Sequence, residues 1–151
     1  MKYTCEIVID LPRDVVIAKF DNPDNMKHWQ PSLISFEALS GVAGQVGAKS
    51  KLRYKMGKRE LVMIETITER ALPDRFAGTY DADGVHNIVS NRFIVDGLNK
   101  TRWVADQEFV MQSFFMKAIG FFFPGMFRKQ TMKFMLDFKA FAELGARSSA
   151  S

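Results

Sequence analysis

The chain has 151 residues, 47% hydrophobic and 25% charged, with a formal net charge of +4. That suits one globular domain that folds on its own core and excludes a disordered chain. A single cysteine, Cys5, excludes an intrachain disulfide framework and a cysteine-based zinc site.

Tyr3–Asp10 alternates apolar and polar residues and predicts a strand. Leu11-Pro12 ends it, and Pro12 opens a helix running to Phe20. Asp21-Asn22-Pro23 breaks that helix, and Asn25–Trp29 reads as a second short one. Six more strands follow: Leu33–Leu39, Ala48–Met56, Glu60–Arg70, Phe76–Ala82, Val85–Asp96 and Thr101–Gln112. Glycines at 41, 44 and 47, Gly57-Lys58, Leu72-Pro73-Asp74, Asp83-Gly84 and Gly97–Lys100 punctuate them. The last segment predicts a long helix ended by Gly145, with 146–151 as a frayed tail. On a helical wheel Phe127, Thr131, Phe134, Met135, Phe138, Phe141 and Ala142 make one broad apolar stripe, while Lys129 and Lys133 lie opposite. Hairpins followed by a helix argue an α+β fold, an antiparallel sheet covered on one face.

Phe and Met are in surplus, 14 and 9, and 10 of the Phe and 5 of the Met lie within 109–151. Such a concentration builds a large core or lines an adaptable cavity. The run Ser113–Phe127 carries Lys117, Gly120 and Pro124 and is shorter than the roughly 20 residues of a spanning helix. With no apolar signal region at the N-terminus, a cytoplasmic location is expected. The basic excess belongs to the C-terminal segment. From Phe127 onward there are five basic residues against two acidic, and the remainder is nearly neutral. Basic residues and aromatics do not interleave on the strands, so nucleic-acid binding is not expected.

The order β-α-α-β6-α resembles the helix-grip fold of the START/birch-pollen-allergen (SRPBCC) superfamily, and within it the bacterial polyketide cyclase/dehydratase-like branch. The resemblance rests on Ile7–Val16 (strand into helix), Trp29-Gln30-Pro31, Gly44–Ala48, Glu65–Glu69, Asn91-Arg92-Phe93, Thr101-Arg102-Trp103 and Phe127–Thr131. It covers residues 2–144 and implies one ligand-binding domain over 1–144: a seven-stranded antiparallel sheet curved around a long C-terminal helix, with an elongated apolar cavity between them. The superfamily hosts binding, transport and catalysis on that scaffold. Phe121-Phe122-Phe123-Pro124 is unusually aromatic for the approach to the last helix, so Phe114–Phe123 is a lid over the cavity or a plug within it.

Strand alternation nominates the cavity wall. Tyr54 and Met56 share one face of their strand; Phe76 and Tyr80, then Asn87, Asn91 and Phe93, then Trp103, Gln107, Phe109 and Met111, share faces of theirs. Met63, and Phe134, Met135 and Phe138 from the helix stripe, complete the candidate ligand-binding set. Amides and tyrosine hydroxyls buried among apolar residues must find partners, so they bond one another or orient a ligand. Candidates for acid–base chemistry are few: Glu65, whose strand is apolar on both faces and leaves its side undecided, Tyr80 and His86, with Tyr54 behind them. No metal spacing and no phosphate-binding glycine motif occurs, so no metal and no cofactor is expected. Two functions follow: binding or transport of a hydrophobic small molecule (lipid, isoprenoid, aromatic or polyketide-like), or a cyclase/dehydratase-like enzyme using the same cavity. A third expectation is transient contact of Phe114–Met126 and the basic helix face with a membrane surface. The chain is expected as a monomer or a homodimer.

Overall fold

The computed structural model describes the backbone of residues 1–150 and the side chains of residues 1–145. The described residues form seven strands: β1 (Lys2–Ile9), β2 (Leu33–Ser40), β3 (Lys49–Met56), β4 (Arg59–Ala71), β5 (Arg75–Ala82), β6 (Val85–Val95) and β7 (Thr101–Met111). Helices α1 (Arg13–Phe20) and α2 (Met26–Trp29), bridged by a 3₁₀ turn at Pro23–Asn25, link β1 to β2. Two helices, α3 (Phe114–Phe122) and α4 (Pro124–Ala150), follow β7. The strands stand in the order β1-β7-β6-β5-β4-β3-β2, all pairs antiparallel. This is the helix-grip arrangement expected from the sequence.

Two boundaries differ from the expectation. The segment leading into the long helix is itself a helix. Ser113 caps α3, its Oγ accepting from the Met116 amide at 3.1 Å. The chain leaves helical geometry at Phe123 (φ −131°, ψ 54°), and Pro124 starts α4, where its missing N–H costs nothing. At the other end, Gly145 lies inside α4 rather than ending it. The tail expected over 146–151 falls outside the residues described with side chains.

Register explains which side chains meet. Pairing Ser50 with Glu65, Glu65 with Tyr80, Tyr80 with Asn87 and Asn87 with Phe109 sets one continuous row on the concave face. The neighbouring row runs Ile67, Gly78, Val89, Gln107 and Tyr3. The loop before β3 needs glycine at 41: its φ is +80°, and a Cβ there would lie 2.8 Å from the Ala48 Cα.

Helix α4 packs chiefly along β1 and α2. Lys139 fastens it to the sheet edge by donating to the Val8 carbonyl at 2.8 Å, and Glu143 accepts from the Asp10 amide at 2.7 Å. The buried face of α4 is the stripe read from the sequence: Met135, Phe138 and Ala142 are closed off completely. Phe20, the last residue of α1, reaches under that stripe. Its ring lies 5.0–6.4 Å from those of Trp29, Phe76, Phe93, Trp103 and Phe138, spacings at which edge-to-face aromatic pairs are favourable. One end of the concave face is thus filled with rings. Among the described residues no helix is long and apolar enough to cross a membrane.

Candidate functional site

The opposite end of the concave face is less completely buried. Leu61, Met63, Glu65, Tyr80, Val85, Asn87, Gln107, Phe109 and Met111 point into the concavity yet keep part of their surface accessible, as do Phe127, Thr131 and Phe134 of α4. These side chains face the space between strands β4–β7 and the first turns of α4, the candidate cleft. Its wall is mostly apolar and includes two adaptable methionines. Phe109 packs at a tilt against Phe127 at 4.9 Å and stacks with Tyr3 at 6.0 Å, marking where sheet and helix meet. Two shallow depressions lie on the surface, one along α4 at Lys129, Met132 and Leu136 and one across β1, β6 and β7 that includes Tyr3 and Gln107.

Polar groups on the wall occur in bonded pairs. Tyr80 Oη donates to Glu65 Oε2 at 2.8 Å. Tyr54 Oη donates to Gln30 Oε1 at 2.7 Å. Asn87 Nδ2 donates to Gln107 Oε1 at 3.0 Å and to the Glu108 carbonyl at 3.1 Å. Tyr3 and Thr131 share a hydroxyl bond of 2.8 Å across the sheet–helix seam. Much of the hydrogen-bonding demand is therefore met internally, one of the two outcomes the sequence left open. The second Glu65 oxygen, the Asn87 carbonyl and the Gln107 amide nitrogen remain for a further group.

Glu65 carries the chemistry that alternation left undecided. Its register opposite Tyr80 and Ser50 turns it into the concavity. Burial pushes its pKa above the ordinary carboxylate value, an effect the Tyr80 hydrogen bond opposes. Burial likewise drives Tyr80 and Tyr54 upward, and the Glu65 charge adds to both. Both tyrosines therefore stay protonated donors at neutral pH. Glu65 is desolvated while still touching the cleft, which is the setting of a carboxyl able to hold or pass a proton.

Several expected site residues stand elsewhere. Phe93, Trp103, Met135 and Phe138 are at most 2% exposed. Phe20 and Trp29 cover them, so they are core and have no surface to offer a ligand. Asn91 is buried with them, its Oδ1 accepting from Trp103 Nε1 at 2.9 Å. His86 faces the convex side, where Nδ1 meets the Asp81 carboxylate, so it is no part of the cleft. Met56 is 46% exposed and sits at the outer end of the row rather than within it. Phe76 faces inward but is half covered by Phe20. Tyr54, Met63, Tyr80, Asn87, Gln107, Phe109, Met111 and Phe134 are brought to one concavity.

Two contributors carried no sequence signal of this role. Gln30 is buried and receives the Tyr54 hydroxyl. It follows a four-residue helix, where no periodicity reveals its side. Thr131 lay on the predicted α4 stripe, but its partner Tyr3 is 128 positions away in the chain. Phe114–Phe123 is not a plug: Phe114, Phe115 and Phe121–Phe123 all point outward. Among the described residues no group of three or more His, Cys, Asp and Glu side chains stands together.

No family model matches the chain, and no curated protein sequence is similar to it. Solved structures are similar in fold. A ZhuI aromatase/cyclase from a Streptomyces species superposes with a TM-score of 0.79 at 12% identity, covering 99% of this chain and 97% of that one. A norcoclaurine synthase point mutant from Thalictrum, in complex with a transition-state analogue, gives 0.73 at 11% identity over 97% and 96%. The major latex-like protein 151 of Panax ginseng gives 0.69 at 16% identity over 94% and 97%. The chain has the helix-grip fold, matched by these structures along nearly its whole length.

Proposed function

We propose that the chain binds a hydrophobic small molecule bearing at least one oxygen function in the cleft between β4–β7 and the start of α4. One observation carries this reading: the concave face is sealed by rings at one end and lined at the other by inward-facing side chains that keep accessible surface. Apolar ligand surface entering such a cleft contributes roughly 25 cal/mol per Å². Glu65, Asn87 and Gln107 would orient the oxygen. A lipid, an isoprenoid or an aromatic polyketide-like compound has that combination. The fold's occurrence in an aromatase/cyclase and in a norcoclaurine synthase holding a transition-state analogue supports a small-molecule site on this scaffold. Native mass spectrometry tests the reading. Incubation with a fatty acid, a farnesyl alcohol and a polycyclic phenol is expected to give a 1:1 adduct with at least one. A chain that stays unliganded with all three contradicts it.

A second reading, a cyclase/dehydratase-like enzyme using the same cleft, is favoured by the Glu65–Tyr80 pair. A desolvated carboxyl bonded to a phenol can deliver or accept a proton while the cleft holds a flexible substrate folded. Turnover of a bound compound separates it from simple binding.

A further inference from the structure

We propose that the outward face of α3 and the adjoining turn into α4 dock on the surface of an anionic lipid bilayer. The inference rests on the surface alone and does not depend on what the cleft holds.

Helix α3 is apolar on both sides. Its inner side, with Met116, Ile119 and Gly120, lies on the end of β7: a Cβ at Gly120 would touch Met111 at 3.2 Å. Its outer side presents Phe114, Phe115, Phe121 and Phe122, between 68% and 90% exposed. Phe123 and Met126 extend the patch into α4, each more than half exposed. At 100° per residue the four α3 rings fall within an arc of about 120°, one stripe rather than a scatter. Water gains nothing from five adjacent exposed phenylalanines, and a patch of this kind marks a surface that meets another phase or partner.

Charge identifies the occupant. Between Glu108 and Asp137 the chain has no acidic residue and four basic ones, Lys117, Arg128, Lys129 and Lys133. The remaining residues are balanced, with 17 basic against 17 acidic, so this segment holds the whole net charge. Arg128 lies over the Tyr3 ring and donates to the Thr4 carbonyl, and Lys133 pairs with Asp137 at 2.6 Å. Lys117, within α3 itself, and Lys129, one turn into α4, are exposed. Asp83, in the turn that α3 rests on, stands at the margin. A two-fold pairing of two copies through this face would bring the basic residues of both copies, with no acidic partner in the segment, to one interface, which like charges oppose. An anionic bilayer instead offers apolar depth for the rings and negative headgroups for the lysines. Nine residues of helix rise only about 14 Å, so α3 lies in the interface and does not cross it.

Vesicle co-sedimentation tests this with the full chain. Binding to phosphatidylcholine/phosphatidylserine vesicles is expected to exceed binding to pure phosphatidylcholine by about 10-fold, and high salt is expected to abolish the difference. Phe121→Ser with Phe122→Ser is expected to lose binding to both vesicles, and Lys117→Glu with Lys129→Glu to lose only the preference for phosphatidylserine. Both variants replace exposed side chains, and an unchanged melting temperature verifies their folding. Absence of wild-type binding, equal binding to the two vesicles, or full binding by the Phe121/Phe122 variant overturns the proposal. So does a dimer in sedimentation velocity that the Phe121/Phe122 variant disperses while vesicles bind neither protein.

Discussion

Glu65 and Tyr80 meet because their strands pair in register, and the bond between them sits where protein has displaced most of the water. A carboxyl whose pKa is raised on folding binds its proton more tightly folded than unfolded. Its contribution is largest at low pH and is lost as pH rises through the ordinary carboxylate value near 4.5 toward the higher folded one. Replacing Glu65 with Gln keeps the shape and removes the charge. The Glu65→Gln chain is expected to lose less stability than wild type as pH rises from 5 to 8, measured as melting temperature across a pH series. A wild-type fall no steeper than the variant's contradicts the assignment. This residue was only half legible beforehand. Alternation names a strand's two faces but not the buried one when both are apolar, and pairing with Tyr80 settled it.

At the scale of elements, α4 grips the sheet through one stripe, and Phe138 is its deepest ring, fully buried against Phe20, Trp29 and Trp103. Phe138→Ala leaves a ring-sized void and is expected to cost about 3–5 kcal/mol, a fall of roughly 10 °C or more in melting temperature. Leu136→Ala, two residues along the same helix and exposed, is expected to change stability by less than about 0.5 kcal/mol. Similar losses at both positions contradict the packing described. The stripe was plain in the sequence because a 3.6-residue period survives five turns. The division between α3 and α4 was not read, although Ser113 and Pro124 are ordinary start signals, because an apolar run in both helices hides the boundary. Phe20 was missed as the hub of the closed end for another reason. It ends a short helix, and only tertiary placement brings it over Phe93 and Trp103, which alternation had assigned correctly to the inner face but wrongly to the ligand.

For the whole molecule, the antiparallel succession of hairpins from β2 to β7 and the packing of the long helix on the sheet followed from turn signals and period-two runs; the place of β1 beside β7 had no local signal, and the solved structures of like fold agree over nearly the full chain. What sequence periodicity cannot express is filled volume. It tells which side chains face the concavity, not which end of it other rings close. The central claim is that the open end takes an apolar ligand, and its most direct test is titration with N-phenyl-1-naphthylamine, a probe that brightens in apolar surroundings. Wild type is expected to saturate at one probe per chain. Met63→Trp, which adds bulk inside the cleft, is expected to weaken binding about 10-fold or more, whereas Phe121→Ser with Phe122→Ser leaves it unchanged. No saturable binding, or binding that survives Met63→Trp and vanishes with the two outer phenylalanines, would contradict the account.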